Sequence, residues 1–115
     1  MIGHTNNSQM NQVTHPDAKA AQIKALIGPP EGWDSHVLRE LEVAAGGYTM
    51  KHQHDWPHIN YVLAGSGTLF LDGVEHPLTA GSIAYVPNHA LHQFKASDDE
   101  SLRFICIVPT AGHTY

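Results

Sequence analysis

Residues 46–65 read Gly-Gly-Tyr-Thr-Met-Lys-His-Gln-His-Asp-Trp-Pro-His-Ile-Asn-Tyr-Val-Leu-Ala-Gly. From His58 onward this stretch alternates: Ile59, Tyr61 and Leu63 fall on one side of an extended chain, His58, Asn60, Val62 and Ala64 on the other. Successive side chains of a β-strand point to opposite faces, so the pattern is that of a strand whose two faces meet different surroundings. The same parity sets His52 and His54 side by side if Tyr48 to His54 is extended. Asp55-Trp56-Pro57 bends the chain, and His58 opens the next run at the parity that lets a third imidazole join the first two.

On either side the chain continues as short apolar or alternating runs: His36 to Val43, Thr68 to Leu71, Val74 to Leu78, Ser82 to Val86, Leu91 to Lys95 and Leu102 to Val108. Gly46-Gly47, Gly65-Ser66-Gly67, Ala80-Gly81 and Pro87-Asn88 read as the corners between runs, and Asp72-Gly73 predicts a tight hairpin because both residues tolerate positive φ. No helical period appears, so the expected fold is all-β, an antiparallel sandwich or a small barrel, the jelly roll among them. His92 shares a face with Phe94, and a strand adjacent to the first would bring in a fourth imidazole nitrogen. Residues 17–27 stay open between two readings, an Ala-rich helix capped by Asp17 or an edge strand alternating at Ile23, Ala25 and Ile27. Residues 1–16 are polar and read as a loose N-terminal arm, leaving 17–115 as a single domain.

The composition narrows the function. Hydrophobic residues make up 42% of the 115 and charged residues 15%, enough for a packed core. The formal charge is -5 with no basic cluster, which argues against a nucleic-acid partner. A polar N-terminus without an apolar span argues against a membrane partner and for a cytoplasmic protein. Of ten histidines, His52, His54, His58, His76, His89 and His92 fall in one central stretch. The single cysteine, Cys106, excludes an intrachain disulfide and a thiolate zinc cluster, so metal binding has to rest on imidazole.

A His-x-His pair alone is common among ordinary surface and core histidines; the glycines and proline around it carry the specificity. Gly46, five residues, His52, one residue, His54, three residues, His58, six residues and Gly65 form one block, and Gly81, five residues, Pro87 and then His92 form a second. The two blocks resemble the paired motifs of the cupin superfamily, small β-barrels that hold a metal with residues of both motifs. The resemblance is close over residues 46–96 and looser over 36–109. It implies that His52 and His54 correspond to the two histidines of the first motif and His92 to that of the second. His58 stands where many cupins carry a glutamate ligand, His89 where a glycine is usual, and Ala96 where an asparagine is usual. The variant most similar is the group of short cupins with a four-histidine site, represented by small manganese-binding members from thermophiles.

The resemblance implies one divalent transition metal per chain, held by His52, His54, His58 and His92. Family likeness points to Mn or Fe, whereas pure imidazole also suits Ni, Cu or Zn. Candidate pocket residues are Arg39, Trp56, Phe94, Phe104 and Cys106. Arg39 either points at the cavity, where it would meet an anion, or sits at a barrel mouth beside an acidic loop residue. His76 and His89 read as exposed, and His4, His15 and His113 as terminal and solvated. The expected function is a metal-dependent oxidoreductase of dioxygenase type acting on a small apolar or aromatic substrate; the alternative is a non-catalytic metal- or ligand-sensing cupin. The outward row Ile59, Tyr61 and Leu63 and the resemblance together imply a homodimer.

Overall fold

The computed structural model describes residues 1–113. Eight strands follow one another: β1 (Asn11–Gln12), β2 (Lys19–Ile27), β3 (His36–Tyr48), β4 (His58–Leu71), β5 (Val74–Thr79), β6 (Ile83–Val86), β7 (His92–Ala96) and β8 (Leu102–Pro109). Short 3-10 turns span Thr5–Asn7, Pro29–Glu31 and Thr110–Gly112. All pairings are antiparallel, and β3 and β4 each pair with both β7 and β8, so β3, β8, β4 and β7 close into a ring. β2 and then β1 extend this barrel beyond β3, while β5 and β6 both pair with β4.

The alternation seen in sequence becomes burial. Along β8, Leu102, Phe104, Cys106 and Val108 are buried, and Val37, Arg39, Leu41 and Val43 face them from β3. His58, Asn60 and Val62 of β4 are buried while Ile59, Tyr61 and Leu63 are exposed. The Asp72-Gly73 hairpin forms, with φ of 46 and 90° and Leu71 opposite Val74. The open segment resolves as strand β2, because Ala21 and Ile23 bury against Val43 and Leu41 of β3 and a helix would break that ladder.

Three local expectations change. Gly65-Ser66-Gly67 does not interrupt β4: a Cβ at Gly67 would run into Lys95 O and one at Gly65 into Ser101 O, so these glycines mark where β7 and β8 pass closest. Tyr48 to His54 is not a regular strand, since β3 ends at Tyr48 and His52 makes only an isolated bridge to His92. The backbone there is still tied to β7, with Thr49 N donating to Phe94 O at 2.9 Å and His92 N to His52 O at 2.9 Å. The segment read as a loose arm contributes β1, buries Val13, and is pinned by Lys24 Nζ donating to Thr5 O at 2.9 Å.

Candidate metal centre

His52 and His54 lie on the irregular segment after β3, and His92 opens β7 beside them. One ring nitrogen of each lies within 4.8 Å of the other two, so these three histidines form a group able to hold a metal ion. His58, the first residue of β4, joins them through His92, with the two Nε2 atoms 3.1 Å apart. The His58 ring centroid is 5.4 Å from that of His54.

The second nitrogen of three of these rings is occupied on the outer side. His54 Nδ1 meets Trp56 O at 2.8 Å, His92 Nδ1 meets Ala90 O at 2.9 Å and His58 Nδ1 meets Asn60 Oδ1 at 2.7 Å. A carbonyl oxygen only accepts, so each Nδ1 carries the proton and each Nε2 presents a bare lone pair, the form that ligates a metal. Burial keeps the rings neutral. It pushes His58 down to about 3, helped by neighbouring His92, and His52 down to about 4, helped by His92 and His54. His54 and His92 are also held below the ordinary histidine value, chiefly by burial.

A small cavity adjoins the histidines, walled by His52, His58 and His92 together with Arg39, Thr49, Phe94, Phe104 and Cys106. Phe94 and Phe104 stack with centroids 4.3 Å apart and give it an apolar floor. Arg39 is 3% exposed and Nη2 donates to Cys106 Sγ at 3.4 Å, which places it inside the barrel and not at a mouth. Trp56 lies outside this wall, stacked on His54 at 4.5 Å and 7°. Its indole also packs on Gly112 of the C-terminal turn, where a Cβ would overlap the ring.

Thr49, Asn60 and His113 did not stand out in sequence as site residues. Asn60 shares the parity of His58, a signal that was present. Thr49 gives none, although its hydroxyl accepts from Phe94 N at 3.0 Å and anchors the segment bearing His52. His113 is half-buried, not solvated, and both burial and the Arg39 charge hold it below its ordinary value. His76 and His89 are exposed, the latter at φ +65°, the strained turn geometry that a glycine would relieve.

The family model described as "Cupin domain" matches residues 39–108. This chain is a cupin. It is 38% identical over 99 residues to the dimethylsulfoniopropionate lyase DddW of Ruegeria pomeroyi, covering 85% of this cupin and 64% of that protein. It is 31% identical over 87 residues to auxin-binding protein 1 of Arabidopsis thaliana, covering 64% of this chain and 44% of that one. The chain therefore spans less than two thirds of both curated relatives. Among solved structures, the polyketide cyclase RemF from Streptomyces resistomycificus superposes with a TM-score of 0.89 at 32% identity, over 95% of this cupin and 78% of that chain. The relatives of this cupin thus include both enzymes and a binding protein. Among the described residues no helix is long and apolar enough to cross a membrane.

Proposed function

We propose that this cupin is a metal-dependent enzyme holding one divalent transition ion with His52, His54, His58 and His92 and acting on a small, largely apolar substrate. The observation that carries this reading is the approach of His58 Nε2 to His92 Nε2, 3.1 Å. With both Nδ1 protons directed at carbonyl oxygens, two lone pairs face each other, an arrangement that repels unless a cation lies between them. Two ligand nitrogens about 2.1 Å from one ion and at right angles are about 3.0 Å apart, close to the observed spacing. The all-imidazole donor set suits Fe, Ni, Cu or Zn, and the family resemblance adds Mn.

A bound ion would supply Lewis acidity and open coordination positions at the cavity. The protein supplies the rest. The adjoining cavity, about 10 Å³, has room for about one water, so Phe94, Phe104 and Arg39 shape the inner wall beneath the ion and an organic substrate would have to reach the ion from outside it. Among the described residues no carboxylate lines the cavity, so a reaction that depends on a carboxylate base is disfavoured. Oxidoreductase chemistry of the dioxygenase type needs no such base and is the first reading we propose, resting on the open positions of the ion. The similarity to the polyketide cyclase favours a second reading, redox-neutral rearrangement or ring closure of an aromatic precursor at the same site.

Dioxygen uptake by the metal-reconstituted protein with phenolic, diketone and alkene compounds separates the two. Uptake coupled to product supports the dioxygenase; product isomeric with substrate and no uptake supports the redox-neutral enzyme. Binding without turnover of any compound would leave a sensing cupin. We further propose a homodimer in the cytoplasm, built on the apolar outer face of Ile59, Tyr61, Leu63, Ile83 and Tyr85. A monomeric mass in light scattering at micromolar concentration would refute the dimer.

A further inference from the structure

Asn60 is 2% exposed, lies on the inward face of β4 two residues after His58, and serves no hydrophobic purpose there. Its amide is oriented at both ends. Nδ2 donates to Ile105 O on β8 at 3.4 Å, which turns Oδ1 toward His58 Nδ1, 2.7 Å away. An amide oxygen accepts and does not donate, so this contact assigns the single proton of a neutral His58 to Nδ1. The alternative tautomer has an obvious partner. A proton on His58 Nε2 would lie 3.1 Å from the bare Nε2 of His92 and would make a direct hydrogen bond. That bond would use the inward lone pairs of both rings and close the site against a cation.

We propose that Asn60 is a tautomer lock: by accepting the Nδ1 proton of His58 it keeps Nε2 bare, so that His58 and His92 meet as two acceptors and not as a hydrogen-bonded pair. This role rests on the proposed metal centre for its consequence but not for its test. A carboxylate ligand in place of His58 has no ring tautomer to fix, so the lock belongs to the imidazole at this position. Asn60 acts through His58, as a positioning residue, and metal affinity follows because proton and metal compete for one nitrogen.

The decisive measurement is made on metal-free protein, where 15N chemical shifts of the histidine rings distinguish Nδ1–H from Nε2–H. Wild-type His58 is expected as the Nδ1–H form. Asn60→Leu is expected to move the proton to Nε2, with Asn60→Asp, which keeps an acceptor, restoring Nδ1–H. In parallel, Co(II) affinity by chelator competition should fall about 10- to 100-fold in Asn60→Leu and recover in Asn60→Asp. The visible spectrum of Co(II)-loaded Asn60→Leu should resemble that of His58→Ala. An Nε2–H tautomer in the wild type, or the same tautomer in wild type and Asn60→Leu, would overturn the proposal even if both bind Co(II). Failure of wild-type protein to bind Co(II) would overturn the metal centre instead, and the ring shifts would still decide the lock. Should Asn60→Leu not fold, the Asp variant and the wild-type shifts alone suffice, since an Nε2–H ring in either refutes it.

Discussion

His58 opens β4 and His92 opens β7, and their Nε2 atoms come within 3.1 Å of each other although 34 residues separate them in the chain. The barrel turns two distant histidines into one pair, and much of the expected behaviour depends on it.

One equivalent of divalent transition metal per chain is expected by elemental analysis, and the double variant His52→Ala with His92→Ala should carry none. His58→Ala should retain a weaker three-histidine site. His58→Glu replaces a neutral ligand by an anion, so its preference should shift toward Mn(II). Identical metal content and affinity in wild type, His58→Ala and His58→Glu would show that His58 is no ligand.

Acid should unfold the metal-free protein early. His52 and His58 have folded-state values near 4 and 3, below the roughly 6.5 of an unfolded histidine. Between those values the unfolded chain binds more protons than the folded one, so the stability these rings contribute is present above about pH 6.5 and is lost as pH falls toward 3. The melting temperature should therefore drop steadily across that window, with a shallower slope in His58→Gln. A melting temperature independent of pH from 7 to 4 would contradict the burial of neutral imidazoles.

Gly112→Val should loosen the cover on His54. The valine cannot occupy the space against the Trp56 indole, so the C-terminal turn must lift and Trp56 loses one of its two supports. A cost of about 1–3 kcal/mol in stability is expected from overpacking, with a change in Trp56 fluorescence and faster metal release to a chelator. Unchanged fluorescence and release would show that the turn does not support the stack.

Phe104→Ala should be the most damaging apolar truncation. Phe104 is 1% exposed and stacked on Phe94, so its loss opens a cavity beneath the site. Roughly 3–5 kcal/mol is expected in denaturant unfolding. A cost below about 1 kcal/mol would mean that the floor is not packed as described.

Much of the barrel was legible along the chain. The period of two in Leu102, Phe104, Cys106 and Val108 and in His58, Asn60 and Val62 reports which face is buried, because a strand's faces are set by backbone geometry alone. The Asp72-Gly73 turn needs only its own two residues to adopt positive φ, so it too was legible. His52 and His54 lie on an irregular segment where strand parity does not hold, so what marked them and His92 as candidates was the glycine and proline spacing that carries the family resemblance.

What lies across from each face is not local, and there the chain alone was silent. Residues 17–27 become β2 and not a helix because Ala21 and Ile23 find Val43 and Leu41 on a strand that already needs a neighbour. Gly65 and Gly67 look like strand breakers until β7 and β8 are laid against them. Arg39 reaches Cys106, Asn60 reaches Ile105 O, and Gly112 reaches Trp56 only after the ring of β3, β8, β4 and β7 has closed. A period of two states that a side chain points inward; which atom it meets depends on strands many residues away, and only closure of the barrel brings those atoms within bonding distance.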